Sequence, residues 1–211
     1  MRSIMNVLTK ICKSKAVGYA LLAVFCAAGA GIYIRSAAAA IDPEAGPIRV
    51  MALGDSITEG MHNTIPSQDG GYRHVLNDYF DANYPGRVDF VGSLTIDSAG
   101  MTDPQHEGHA GYRIDQISSG VNSWLSTYNP HVVLLHIDTN DVIQNYSGTT
   151  MTASLDQLLG RIYATAPNTT VILASLIPQW GPPGTWTHPP VRVITVPSQA
   201  LSASIRDKAA A

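Results

Sequence analysis

The stretch Ile48-Arg-Val-Met-Ala-Leu-Gly-Asp-Ser-Ile-Thr-Glu-Gly60 decides how this chain is read. Its first six residues form a near-continuous apolar run, the pattern of a parallel strand covered by helices on both faces. The run passes directly into Gly54-Asp55-Ser56, which puts Ser56 at the carboxyl end of a strand, the edge where α/β folds place their ligands. A helix starting there aims N–H groups at developing negative charge, so Ser56 could attack a carbonyl while its own amide supports the oxyanion. An isolated Gly-Asp-Ser tripeptide is more often a strand-ending turn with the serine as a helix cap.

Outward from this segment, apolar runs alternate with helical patterns. Residues 88–91, 132–137 and 170–176 read as further strands, while 72–84, 114–128 and 154–164 carry apolar residues at three- and four-residue spacing and read as amphipathic helices. The alternation predicts an α/β architecture with a parallel sheet. A last, alanine-rich helix is expected from Ser198 with no strand after it.

The 211 residues are 45% hydrophobic and 14% charged, which suits one globular domain with a substantial core. A net charge of −3 with no long like-charged run speaks against a nucleic-acid partner. Arg2, Lys10, Lys13 and Lys15 precede an apolar run over residues 16–34, followed by small residues up to Ala40. That order predicts a cleaved signal peptide over 1–40 or, because the run is long, an uncleaved membrane anchor, so the expected location is extracellular or membrane-anchored. Residues 41–47 then form a linker and 48–211 the domain, expected to be monomeric. Both cysteines, Cys12 and Cys26, lie in the N-terminal segment, so no disulfide is expected within the domain. Asn145-Tyr-Ser and Asn168-Thr-Thr match the glycosylation tripeptide and are equally ordinary loop residues.

Taken as a whole, Met51-Ala-Leu-Gly-Asp-Ser-Ile-Thr-Glu-Gly resembles the nucleophile block of the SGNH/GDSL hydrolase family, with the strand that the family places before it. The resemblance implies a three-layer α/β/α sandwich of flavodoxin-like type and a serine esterase needing no metal or organic cofactor. It extends to two more blocks. His106-Glu-Gly-His-Ala-Gly-Tyr-Arg-Ile-Asp-Gln-Ile117 is similar to the family's glycine block, with Gly111 as backbone oxyanion donor. His136-Ile-Asp-Thr-Asn-Asp141 is similar to its Gly-x-Asn-Asp block, with Asn140 as side-chain donor. Asp55 is expected to orient the turn or face substrate. Where the family has glycine this chain has Asp138; an ionised carboxylate some 7 Å from an oxyanion would oppose it by roughly 2 kcal/mol at an effective dielectric of 20.

In the family the general base is a histidine three residues after an aspartate, beyond a fifth strand. No such block follows Asn140 here. The expectation drawn from this is a truncated or degenerate member, inactive in this form, with the last strand and the histidine loop missing. Asp103-Pro-Gln-His106 has the spacing but precedes the glycine block, and His106 or His109 could act as a surrogate base. A metal site at His106-Glu-Gly-His109 lacks the usual spacing and a third ligand. His136 reads as a core or subsite residue, and His62, His74, His131 and His188 as structural.

Gly70-Gly-Tyr-Arg73, Val88-Asp-Phe-Val-Gly-Ser93, the glycine block and Val133-Leu-Leu-His-Ile137 together resemble carbohydrate esterase family 3. This implies a secreted acetyl xylan esterase, its substrate an acylated carbohydrate, with Tyr112, Arg113, Trp180 and Trp186 as candidates for touching the sugar. The alternatives are a lysophospholipase or general acyl esterase, and a non-catalytic carbohydrate-binding protein of the same fold.

Overall fold

A computed structural model describes residues 46–60, 69–174 and 193–196, the last four by their backbone. Residues 1–40, most of the linker, His62, Trp180, Trp186, His188 and the helix expected from Ser198 lie outside the described residues, as do the last two positions of the strand expected over 170–176.

The elements are β1 (Ile48–Gly54), α1 (Ser56–Glu59), α2 (Tyr72–Asn83), β2 (Val88–Phe90), β3 (Glu107–Gly108), α3 (Ile114–Tyr128), β4 (Val132–His136), α4 (Thr139–Ile143), α5 (Gly148–Thr165), β5 (Thr170–Ala174) and β6 (Val193–Val196). The strands form one sheet in the order β2-β1-β4-β5-β6, with β3 also on β1. β2 pairs with the start of β1, at Ile48 to Val50, and β3 with its end, at Leu53 and Gly54. One edge of the central strand is thus shared by two short strands. All pairings but the last are parallel; β6 runs antiparallel to β5.

The continuous apolar runs follow from the layering, because alternate residues of each strand enter two different cores. Met51, Leu53, Val133, Leu135 and Val171 pack with Ile117, Val121 and Leu125 of α3 and with Leu158, Leu159 and Ile162 of α5. Val50, Val132, Leu134 and Ile172 face the other way, onto Leu76 and Phe80 of α2. This is the three-layer α/β/α arrangement expected from the sequence. α3 has the expected bounds and ends where Asn129 takes a left-handed conformation before Pro130.

Several elements differ from expectation. α5 begins six residues before Ser154, because Ser147 caps Thr150 N–H and starts the helix in a threonine-rich stretch without apolar periodicity. The one-turn helices α1 and α4 and the two-residue β3 are too short to carry a period. β6 corrects the expectation that the sheet ends with the strand from Thr170.

Candidate active site

The site is built at the carboxyl edge of β1 and β4. The Asp55 N–H donates to His136 O at 3.4 Å, carrying the strand pairing one residue past β1. Asp55 is fully buried and caps α1, its Oδ1 accepting from Ile57 N–H at 2.9 Å. Ser56 is therefore the first residue of a helix, half-buried at the sheet edge. Its hydroxyl makes no hydrogen bond to any described residue.

Gly111 sits in a loop held at both ends. His109 N–H donates to Gly54 O at 2.9 Å, Ala110 N–H to Glu59 Oε2 at 2.7 Å and Tyr112 N–H to His109 O at 3.1 Å. Gly111 itself has φ +80°, a conformation an L side chain takes only with strain. Among the described residues its N–H has no partner, which leaves it free to donate. Asn140, in the first turn of α4, donates through Nδ2 to Tyr112 O at 2.9 Å. One amide hydrogen is thereby fixed and the second has a defined direction. Asp141, beside it, accepts from Ile114 N–H at 3.1 Å and so caps α3. The Asn-Asp pair ties the β4 edge to the loop carrying Gly111, and the structure brings Ser56, Gly111 and Asn140 to one edge.

The two histidines weighed as a surrogate base are held otherwise. His106 is fully buried; its Nε2 donates to Ile96 O at 3.0 Å and its Nδ1 accepts from Gly108 N–H at 3.0 Å. Burial, with the Arg73 charge second, lowers its pKa to about 4. Asp103 instead accepts from Phe90 N–H, so the Asp103-x-x-His106 spacing forms no dyad. His109 donates Nε2–H to buried Glu107 at 2.9 Å and lies stacked between Tyr112 and Trp124. Glu107 also takes Ser93 N–H and Ser93 Oγ–H. Among the described residues no group of three or more His, Cys, Asp or Glu is arranged to hold a metal ion.

On the β4 side the polar groups are less well matched. Among the described residues, Asp55 Oδ2, His136 Nδ1, Asp138 Oδ1 and Thr139 Oγ1 are buried without a well-formed hydrogen bond, although the Thr139 hydroxyl lies near enough to the Asp55 carboxylate to favour its charged form. Burial pushes the Asp55 carboxyl up and the His136 imidazole down, each countered in part by the other's charge. Asp138 takes φ +98°, which explains why a glycine suits the position. Burial first, then Asp141 and Asp55, push its pKa up to about 8. The expected electrostatic penalty on the oxyanion is corrected accordingly: near neutral pH this carboxyl is mostly protonated and carries little charge.

Of the remaining candidates, Tyr112 is exposed at the rim, and Arg113 pairs with Asp115, donates to Gln144 Oε1 and lies over the Tyr146 ring at 5.3 Å. Glu59, Asp141 and the Glu107–His109 pair were not singled out from sequence. Asp141 was legible as the second half of Asn-Asp, and Glu59 as a charge inside an otherwise apolar-packed motif.

The GDSL-like lipase/acylhydrolase family matches residues 52–211, three quarters of the chain. The chain belongs to this family. Among solved structures, this family member is similar to a family 3 carbohydrate esterase from Clostridium thermocellum, with 37% identity, a TM-score of 0.52 and 60% of each chain covered. It is also similar to a family 3 carbohydrate esterase from Talaromyces cellulolyticus, at 30% identity and a TM-score of 0.51, again over 60% of each chain. A multidomain esterase from Ruminococcus flavefaciens is 32% identical over 161 residues, 66% of this chain and 20% of its own length. The chain thus spans a fifth of that relative and about three fifths of the two solved structures.

Proposed function

We propose that this family member hydrolyses carboxylic esters, in particular acetyl groups on carbohydrate such as acetylated xylan, with Ser56 as nucleophile. The observation that carries the reading is the arrangement of donors: an unpartnered Gly111 N–H and a half-committed Asn140 amide share the sheet edge with Ser56 at the start of α1. Ser56 Oγ adds to the acyl carbonyl as its proton passes to a base, and the Ser56 and Gly111 N–H groups and Asn140 Nδ2 donate hydrogen bonds to the carbonyl oxygen as it gains charge. Collapse breaks the ester bond, the sugar oxygen leaves as a hydroxyl with that proton, and water then cleaves the acyl-serine to release the acid. The proton acceptor that the family resemblance calls for is an Asp-x-x-His block, and no described histidine takes its place. The names of the family 3 carbohydrate esterases support the substrate class. Action outside the cytoplasm, by a secreted or anchored monomer, belongs to the same proposal.

The test is acetate release from acetylated xylan by the chain and by Ser56→Ala, beside acetyl and long-chain nitrophenyl esters. Release that Ser56→Ala abolishes supports the reading. A preference for the long chain sinks the acetyl assignment. Affinity for acetylated xylan with no release, unchanged in Ser56→Ala, would make the protein a carbohydrate binder.

A further inference from the structure

Resting on the reading of Ser56 as nucleophile and Gly111 as oxyanion donor, we infer that Glu59 is a positioning residue that couples the two. Glu59 is the last residue of α1, one turn from Ser56, and is almost completely buried. Its Oε2 accepts from Ala110 N–H at 2.7 Å, across 51 residues of sequence. The bond is partly buried, although Ala110 as a residue is exposed. The carboxylate therefore reaches out of the packed turn to one amide, and that amide belongs to the residue before the oxyanion donor.

The root of the Glu59 side chain is held on two sides. Arg73, fully buried, donates Nε–H to Thr58 O at 2.7 Å and Nη2–H to Glu59 O at 2.6 Å, closing the end of α1. On the opposite side Gly108 of β3 packs directly on the Glu59 backbone, and a Cβ on Gly108 would overlap Glu59 N. With its backbone clamped between α2 and β3, the side chain has a single reach. Ala110 N–H bound by Glu59 and Tyr112 N–H bound by His109 O bracket Gly111 on both sides. An oxyanion donor is effective only within about 2.7–3.1 Å of the forming charge, so the distance between Ser56 and the Gly111 N–H must be held tightly. Glu59 is the side chain that fixes this distance, because it is rooted in the nucleophile helix and bonded to the donor loop.

The experiment compares Glu59→Gln, which keeps an acceptor oxygen of the same reach, with Glu59→Ala, which removes it, and with Ser56→Ala. Two quantities are read on the full chain: nitrophenyl acetate hydrolysis, split into kcat and KM, and amide hydrogen exchange at Ala110 and in β1. Glu59→Ala should speed exchange at Ala110 at least tenfold with β1 amides unchanged, and lower kcat about 10- to 100-fold with KM within about twofold. Glu59→Gln should keep slow exchange at Ala110 and recover most of kcat. Unchanged exchange or unchanged kcat in Glu59→Ala overturns the inference, as does a Glu59→Gln variant as impaired as Glu59→Ala. Faster exchange throughout β1 would reduce Glu59 to a fold-stabilising role and overturns it too. Wild-type hydrolysis surviving in Ser56→Ala overturns the nucleophile reading instead, and the exchange measurement then still decides whether Glu59 holds the loop.

Discussion

Two polar clusters flank the end of β1, and they are built to opposite standards. On the β3 side His106, Glu107 and His109 each have defined partners, and His106 is held neutral by burial. On the β4 side, among the described residues, Asp55, His136, Asp138 and Thr139 leave four buried atoms without a well-formed hydrogen bond, and burial raises the Asp138 pKa to about 8. A fully satisfied network rigidifies its surroundings, while unpaired buried groups are costly and gather where a chain binds or reacts. The first cluster is the scaffold for the Gly111 loop. The second joins the residue before Ser56 to the residues just before Asn140, at the ends of β1 and β4.

The largest effect is expected from the edge where the clusters meet. On the proposed reading, Asn140→Ala should lower ester turnover about 10²–10³-fold, since it would remove one of the proposed oxyanion donors and frees Tyr112 O. Steady-state kinetics check it, with KM changing far less than kcat.

The next experiment sharpens the contrast by pH. His106 has its pKa depressed in the fold, so its contribution to stability is present above about pH 6.5 and is lost as pH falls through about 4. The loss amounts to up to about 3 kcal/mol and is read by urea unfolding across that window. His106→Gln should flatten it.

Asp138 has the opposite sign. Its pKa is raised in the fold, so its contribution is present below about pH 4 and is lost as pH rises through about 8. Asp138→Gly should remove that slope, and relief of the +98° φ should add about 1 kcal/mol. Equal melting temperatures of the two proteins at pH 8.5 would break the proposed distinction between the clusters.

The smallest effect belongs to the rim. Arg113→Ala removes a solvent-screened pair with Asp115, and the unfolding midpoint in urea should barely move. A larger change in KM than in stability for acetylated oligosaccharide would place Arg113 in substrate contact.

What could be read from sequence follows the physics of each element. β1, β4 and β5 are buried on both faces, and α2 and α3 bury one long stripe, so apolar patterns reported them. β3 and α4 have two and five residues and are too short for a period, while the start of α1 was legible in the Asp55-Ser56 turn but not its length of four residues. β6 escaped because Val193–Val196 follows a proline- and glycine-rich run that interrupts periodicity. In the site, Ser56, Gly111 and Asn140 were singled out from their motifs, and the fold brings the segments that carry them to one edge of the sheet. Whether His106 and Asp103 form a dyad was not legible from spacing, since their partners, Ile96 O, Gly108 N–H and Phe90 N–H, are backbone groups brought by the fold. The upward shift of the Asp138 pKa was not legible either, because burial, its main cause, and the Asp55 charge come from the tertiary fold.

The pairing of β1 with β4 also sets an order of events. The turn carrying Ser56 is hydrogen-bonded to His136, and Arg49 at the start of the same strand is held by His131, 82 residues further on. Pairings this distant in sequence form late, after the intervening chain has been closed into a loop. During synthesis the serine is therefore exposed to the surroundings long before β4 and Asn140 emerge to give it a frame. A nascent chain halted before residue 140 would carry the motif without the chemistry, so the reactive arrangement arises only once most of the domain has been made.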